Sequence, residues 1–186
     1  MLINIVIIII LAWAFMIGYS RGLILQVLYS IGMIVAALIA NASYKGLATH
    51  LSQWIPFSSA TSGSHLLIFS DALLFHLDDA FYAGIAFIII FIVAYVVIRL
   101  IGLFLRFGRA PLGRNGKIIA GILGLCATYF GLQMFFTTLS LVPINTIQTH
   151  LAQSGLVKLM VLHTPFSSAL LQNLFIETIT KIHPFG

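Results

Sequence analysis

Four long apolar runs dominate the pattern of hydrophobic and polar positions along the chain. A helix that crosses the hydrocarbon core of a bilayer needs roughly 17 to 25 mostly apolar residues, at about 1.5 Å per residue. Four stretches meet this requirement, at residues 2–18, 23–42, 81–98 and 118–142. The pattern therefore predicts an all-α, polytopic integral membrane protein with four transmembrane helices arranged as two hairpins.

Two shorter segments have the mixed character of amphipathic helices that lie at the membrane interface. Residues 65–79 are apolar but too short to span, and polar positions recur among them. Near the carboxyl end, Ser167 or Ser168 is a candidate cap for a second helix. The apolar face of that helix would contain Leu171, Leu174, Phe175, Ile179 and Ile182, with Gln172, Asn173 and Thr180 facing elsewhere. We predict an outer interfacial helix in each region.

These segments divide the chain into a four-helix transmembrane domain and a tail. The domain covers residues 1–142, with an outer interfacial segment at 43–80, and the outer amphipathic tail covers 143–186. The first run is expected to stay in the protein, because a signal peptide requires a basic stretch before its apolar core and only Met1 precedes this run. The tetrapeptide Pro-Phe-Ser-Ser occurs at 56–59 and at 165–168. It reflects either an internal duplication or a chance match.

Composition narrows the class of protein further. Hydrophobic residues make up 61% of the 186 residues and charged residues only 7%, which excludes a water-soluble globule. The formal charge of +5 would suit nucleic acid, but the cations sit between hydrophobic runs and form no basic stripe with interleaved aromatics. We therefore expect no nucleic-acid partner. The single cysteine, Cys126, falls inside an apolar run and is expected to pack there.

The cations are distributed unevenly among the connections between the apolar runs. The connection at 99–117 contains five cations and no acid, whereas residues 43–80 carry Lys45 against three aspartates. Because cytoplasmic connections retain Lys and Arg, we predict a multi-pass protein whose 99–117 connection lies inside and whose two termini lie outside. Each cation near the surface attracts anionic lipid headgroups by about 1 kcal/mol. The residues assigned to topology and to such lipid contact are Arg21, Arg99, Arg106, Arg109, Arg114 and Lys117.

Small residues recur at helical spacing in three of the four runs. Such ridges let helix backbones approach closely, which is what holds helices together in lipid. The residues predicted to pack helices in this way are Gly18, Gly22, Gly32, Ala36, Ala40, Ala120, Gly124 and Gly131. We expect this packing within one chain, and a homo-oligomer built on the same ridges is the alternative.

Arg99 is the one candidate for chemistry inside a span, because apolar residues continue beyond it through Leu105. The simpler interpretation is a side chain that extends to the interface. The alternative is a cation lining a water-filled path, as in a channel or transporter for ions or small solutes. No predicted span carries a central charge or a proline at its midpoint, so transport ranks second.

Candidate metal-binding and catalytic residues are sparse. All the histidines fall in the two outer regions, and they are His50, His65, His76, His150, His163 and His183. His65 and His76 would share a helical face, with Asp79 one turn further, but zinc sites use denser ligand spacing. The sequence contains no G-x-S-x-G, H-E-x-x-H or phosphate-binding Gly-Lys-Ser/Thr motif. We predict no enzyme activity, no cofactor and no metal site.

Two stretches resemble the colicin V production protein (CvpA) family, whose members are proteins of the bacterial inner, or cytoplasmic, membrane. Residues 18–26 read GYSRGLILQ and lead into the small-residue span, and residues 111–124 read PLGRNGKIIAGILG. The likeness covers about residues 1–142 and departs from the family pattern at Ala127 and Thr128, where the family often has a basic residue and a glycine. The resemblance implies a non-enzymatic accessory or scaffold role in production or export of a peptide toxin, a bacteriocin, or in envelope homeostasis. It also implies a partner in an export machinery.

Overall fold

Four long helices, each apolar enough to cross a bilayer, make up most of the protein in the computed structural model, which describes residues 2–57, 65–104 and 113–185. They are α1 (Leu2–Arg21), α2 (Leu23–Trp54), α3 (Leu77–Phe104) and α4 (Gly113–Leu139). The described residues contain no strand. The predicted all-α polytopic membrane protein with four spans is therefore confirmed.

The second helix is longer than the sequence pattern predicts. We placed its end at Ala42, but α2 continues to Trp54, so residues 43–54 all belong to this helix and not to a separate outer segment. Tyr44 explains the extension, because its side chain is only 1% exposed and its ring packs on Phe87 at 5.9 Å. The helix ends at Ile55, which is extended because Pro56 follows it.

The helices pair as α1 with α4 and as α2 with α3, so the tight pairs are not the predicted hairpins of α1 with α2 and of α3 with α4. The α1–α4 contact is nearly backbone to backbone. A Cβ atom added at Gly124 would lie 3.0 Å from the Ala14 carbonyl oxygen, and one added at Gly18 would overlap the carbonyl of Ala120. Helices α1 and α2 meet mainly at the turn at Gly22. The helices follow one another along the chain as predicted, but the two helices of each predicted hairpin are not the ones that pack most tightly together.

The predicted packing residues fall into two groups. In α2, Ala36 and Ala40 are completely buried, and an added Cβ at Gly32 would lie 2.6 Å from Ile98. In contrast, an added Cβ at Gly22 or Gly131 meets nothing within 4 Å. Gly22 serves the turn between α1 and α2, since its φ of 87° is strained for other residues.

A cap of packed segments covers the end of the bundle where α1 starts, α3 starts and α4 finishes. We use the name cap for residues 65–76 and 140–185. Its helices are α5 (Asn145–Ala152), α6 (Gly155–Lys158), α7 (Ser167–Gln172) and α8 (Thr178–Thr180), with π-helical turns at Leu159–His163 and Asn173–Glu177. The cap is centred on Leu73, Leu141 and Phe175, none of which is exposed.

Two arms of the cap form a bent pair of helical segments, Gly155–His163 and Ser167–Thr180, at 76°. Their sequence is apolar enough to be a broken membrane span, but their ends lie together. Ser154 donates to the Asn4 side chain at the start of α1, and the Pro184 carbonyl accepts from the Ser70 amide just ahead of α3. The pair therefore leaves the cap end of the bundle and returns to it.

The segment at 65–79 is not the single interfacial helix that we predicted. It contains a short 3₁₀ turn at Asp71–Leu73, and α3 then begins at Leu77. The Asp71 carboxylate accepts from the Leu66 amide at 2.8 Å and from His65 Nδ1 at 2.9 Å, which folds the chain back on itself. This fold buries apolar side chains against the bundle, among them Leu66, Ile68, Phe69 and Leu73.

The tail helix was correctly placed near residue 167, but its predicted N-cap was wrong. Its buried face includes Leu171 and Phe175 as predicted, together with Gln172 and Thr180, which were predicted to face elsewhere. Phe166, with a φ of 68°, precedes the first helical residue, and Ser168 Oγ donates back to the Thr164 carbonyl. Gln172 is buried and donates from its side-chain amide to the Val161 carbonyl at 2.8 Å, and a π-helical turn follows it at Asn173–Glu177. Of the two Pro-Phe-Ser-Ser copies, the second starts α7, and Ser58 and Ser59 of the first lie outside the described residues.

Gly18→Ala should destabilise the protein, because the new methyl group would meet the Ala120 carbonyl across the α1–α4 contact. Overpacking of this kind costs about 1–3 kcal/mol, more than the roughly 1 kcal/mol that alanine gains in helix propensity. Gly46→Ala in α2 is the matched control, since its Cβ would meet nothing within 4 Å. Thermal unfolding in detergent, followed by far-UV circular dichroism, should show a lower midpoint for Gly18→Ala alone. Equal midpoints for both variants would contradict this close contact.

Acid should release the fold of residues 65–74. The hydrogen bond from His65, and then that from the Leu66 amide, hold the pKa of the Asp71 carboxyl below its ordinary value. Because the folded pKa is the lower one, this stabilisation is fully present above the ordinary Asp pKa of about 3.9 and is lost as pH falls through the lowered value. Asp71→Asn should therefore remove hydrogen-exchange protection of the 65–74 peptide at neutral pH. Asp79→Asn, outside this contact, should leave that peptide protected.

Candidate functional site

The folded bundle separates its charges along its length. The end where α1 finishes, α2 starts, α3 finishes and α4 starts, here called the basic end, holds Arg21, Arg99, Arg114 and Lys117. Arg106 and Arg109, predicted to belong to the same cluster, lie outside the described residues. All four acidic residues of the chain are described, and each lies at the cap end; they are Asp71, Asp78, Asp79 and Glu177.

Two of the arginines meet on one aromatic ring. The guanidinium carbon of Arg21 lies 5.5 Å from the centre of the Tyr29 ring, and that of Arg99 lies 5.1 Å from the same centre. Arg99 also lies 5.6 Å from the Tyr95 ring, one helical turn earlier in α3. We call these four residues the arginine–tyrosine cluster. Cation–π contacts stabilise each cation, but they leave two like charges close together.

The local sequence explains how the cluster is assembled. Arg21 is the last residue of α1, and the turn at Gly22 starts α2 beside it, so that Tyr29 follows after two helical turns. Tyr29 is 3% exposed because it also faces α3, where an added Cβ at Gly102 would lie 2.9 Å from the ring. The α2–α3 pairing therefore brings Arg99 to the same ring.

The other basic residues point away from this cluster. Lys117 Nζ lies 5.9 Å from the centre of the Tyr19 ring, and Arg114 is exposed in the first turn of α4. The structure thus separates the predicted basic residues into a clustered pair, Arg21 and Arg99, and a surface pair, Lys117 and Arg114.

A cavity of about 390 Å³ lies beside the cluster, between the α1–α4 pair and the α2–α3 pair. Its volume falls in the range of about 300–1,000 Å³ that is typical of small-molecule sites. Small residues of α4 leave this space open, since Gly131, Ala127 and Thr128 line it and an added Cβ at Gly131 would meet nothing within 4 Å. Gly131, predicted to pack a helix, instead lines the cavity.

The cavity is polar at one end and apolar along most of its length. Arg21, Arg99 and Gln26 line it at the basic end, whereas Ile10 and Leu132 line it at the far end. From Ile10 to Arg21 along α1 is a rise of about 16 Å, close to half of the roughly 30 Å hydrocarbon core. The cavity therefore spans about one leaflet of a bilayer.

The cavity opens through the surface of α1. Trp13 is 67% exposed and Ile10 is 36% exposed, and both also line the cavity. The span window of α1 is only 17% buried inside the bundle, so its exposed side is the side that meets lipid. A molecule in the bilayer can therefore reach the cavity sideways.

Gln26 is an unsatisfied polar group in this wall. Its side chain is 2% exposed, and its Oε1 atom has no hydrogen-bond partner among the described residues. A buried amide oxygen without a donor costs about 1–3 kcal/mol. A ligand that carries a hydroxyl or amine donor would remove this cost.

The sequence patterns identified Arg21 and Arg99 as separate candidates but did not predict that both would contact one ring. They also missed Tyr29, Tyr95 and the role of Gln26. The spacing of Tyr95 and Arg99 by four residues on a helix was the available signal. The histidines show no comparable grouping, because the described residues contain no group of three potential metal ligands. His65 contacts Asp71, which removes it from the predicted face with His76.

Comparison with known proteins agrees with this architecture. The sequence pattern of the family described as colicin V production protein matches residues 3–165. A similar protein of Bacillus subtilis (strain 168), named uncharacterized transmembrane protein YshB, is 32% identical over 178 residues, which cover 95% of this chain and 98% of that protein. No solved structure matches.

Proposed function

The chain belongs to the colicin V production protein family, and from that premise we propose that it is a non-enzymatic accessory or scaffold protein in production or export of a peptide toxin and in envelope homeostasis. The observation that carries this proposal is the extent of the family match. It runs through all four long helices and through the first arm of the bent pair. The proposal therefore concerns the whole bundle and the part of the cap up to residue 165.

The two ends of the bundle support a scaffold in different ways. The basic end exposes Arg114 and Lys117 with no acid nearby among the described residues, which suits an acidic surface of an export-machinery partner or anionic headgroups. The cap is held by long-range hydrogen bonds, such as that from Tyr44 to the Leu174 carbonyl at 3.0 Å. A fixed cap offers a partner a preformed surface on the other side of the membrane.

We further propose that the protein lies in the bacterial cytoplasmic membrane with its basic end in the cytoplasm and both termini outside. The excess of cations at that end supports this orientation. The bent pair supports it too. Its arms of 9 and 14 residues rise about 13 and 21 Å, so each arm is shorter than the roughly 30 Å of a bilayer core, and both ends of the pair lie at the cap end of the bundle.

A reporter fused after Gly186 tests the orientation. Alkaline phosphatase, which is active only outside the cytoplasm, should be active in this fusion, and a green fluorescent protein fusion at the same point should be dark. The opposite pair of signals would place the carboxyl end in the cytoplasm and make the bent pair a fifth span. Phosphatase inserted after Gly113, at the start of α4, is the matched control and should be inactive.

A second candidate is a channel or transporter for small anions, favoured by the cavity with Arg21 and Arg99. The cavity ends near Leu132 and Phe91, and beyond it Phe87, Met134 and Phe175 are buried in the core. A through path would require these side chains to move. Anion flux through reconstituted protein that is lost in Arg99→Ala would favour this candidate over the scaffold.

Deletion of the gene in a bacterium that secretes a peptide toxin tests the scaffold. Secreted toxin should fall at least about tenfold, while transcription of the toxin gene stays unchanged, and the wild-type chain should restore secretion. The joint variant Arg114→Gln with Lys117→Gln should restore it only in part, because it weakens the surface proposed to meet the partner. Thr149→Gln at an exposed site of α5 is the control. Unchanged secretion after deletion would overturn the proposal.

A further inference from the structure

We propose that the cavity binds one anionic phospholipid whose headgroup carries a hydroxyl donor, with the phosphate at Arg21 and Arg99 and an acyl chain along the cavity. The inference goes beyond the scaffold role. It concerns a specific site inside the bundle, distinct from the general attraction of headgroups to the exposed Arg114 and Lys117.

The charge of the site calls for an anion. Arg21 and Arg99 are held on one Tyr29 ring, and all four acidic residues of the chain lie at the opposite end of the bundle. Two cations close together in a membrane-spanning region are costly unless an opposite charge joins them. A phosphate diester fits this position, because guanidinium groups bind phosphate oxygens through paired hydrogen bonds.

The shape of the site calls for a lipid. Beyond the two arginines the wall is mainly apolar, with Ile10, Met33 and Leu132 along it. The distance from Arg21 to Ile10 matches about one leaflet, and the opening beside Trp13 faces the hydrocarbon. A soluble anion would fill only the polar end and would leave this apolar length empty.

Gln26 favours a headgroup that carries a hydroxyl donor. Gln26 lines the cavity at the same end as the arginines, and its Oε1 atom is covered and has no donor among the described residues. Once the Gln26 amide turns toward the cavity, a headgroup hydroxyl, such as that of phosphatidylglycerol, can donate to this oxygen while the phosphate binds the guanidinium groups. A choline headgroup has no such donor and carries a positive charge that the arginines repel.

Trp13 is a built-in reporter of this site. The chain has two tryptophans, Trp13 at the cavity opening and Trp54 at the far end of α2, so Trp54→Phe leaves a single emitter at the site. The purified protein is placed in phosphatidylcholine vesicles with rising fractions of lipids brominated on their acyl chains, which quench tryptophan on contact. Brominated phosphatidylglycerol should quench about tenfold more effectively than brominated phosphatidylcholine, the ratio expected for a charge-assisted contact. Equal quenching by the two lipids would overturn the proposal.

Variants distinguish specific lipid binding in the cavity from the general attraction of anionic headgroups to exposed cations. Arg21→Gln with Arg99→Gln should abolish the preference, whereas Arg114→Gln, which removes a cation outside the cavity, should keep it. A loss in Arg114→Gln as large as in the double variant would overturn the specific site. Gln26→Leu should lower quenching by brominated phosphatidylglycerol but not by brominated phosphatidylmethanol, which has no hydroxyl. An equal effect on both lipids would overturn the role of the hydroxyl.

Two further measurements use the protein with an unmodified cavity, so the test does not depend on the folding of any cavity variant. Unbrominated phosphatidylglycerol should relieve the quenching, and millimolar glycerol phosphate should not. Relief by glycerol phosphate would assign the polar end to a soluble anion and overturn the lipid. All these measurements use purified protein without toxin, so they fail or succeed independently of the secretion test.

Discussion

The close approach of α1 and α4 determines the rest of the bundle. Lipid tails are as apolar as the side chains, so burying apolar side chains does not drive helices together in a membrane. Helices associate instead where their backbones can approach closely. Gly18, Ala120 and Gly124 supply that contact. Because α1 is committed to α4, α2 is left to α3, and the two pairs meet imperfectly. The cavity is the space that this mismatch leaves on the side of the bundle with the small residues of α4.

The same pairing governs the electrostatics. With α2 packed along α3, Tyr29 lies between an arginine at the end of α1 and one inside α3. Neither arginine gains a carboxylate, because the acidic residues are all at the cap. The bundle therefore holds unbalanced positive charge beside an open apolar cavity, whereas its other end carries the acidic residues and a packed core.

Hydropathy and charge were sufficient to predict the spans and the basic end, because both are additive properties of short stretches. Helix pairing was not predictable in this way, since the small-residue ridges of α1, α2 and α4 look alike and only their registers select partners. The prediction of an interfacial helix at residues 65–79 was wrong for a related reason. Their periodicity suits a helix, but Asp71 bonds the Leu66 amide and Ser70 bonds Pro184, a residue more than 100 positions away. In the tail, Gln172 joins the buried face because its side-chain amide donates to the Val161 carbonyl of the other arm, and no local pattern marks that contact.

The bond between the Ser70 amide and the Pro184 carbonyl, at 2.9 Å, sets an order of events during biosynthesis. Gln148 adds a second such tie, because its Oε1 accepts from the Leu67 amide at 3.1 Å. The chain ahead of α3 enters the membrane early, but it has no partners for these amides until residues 148 and 184 have left the ribosome. The insertion machinery or water must satisfy these amides in the meantime, and the segment can close only after residues 148 and 184 have been made.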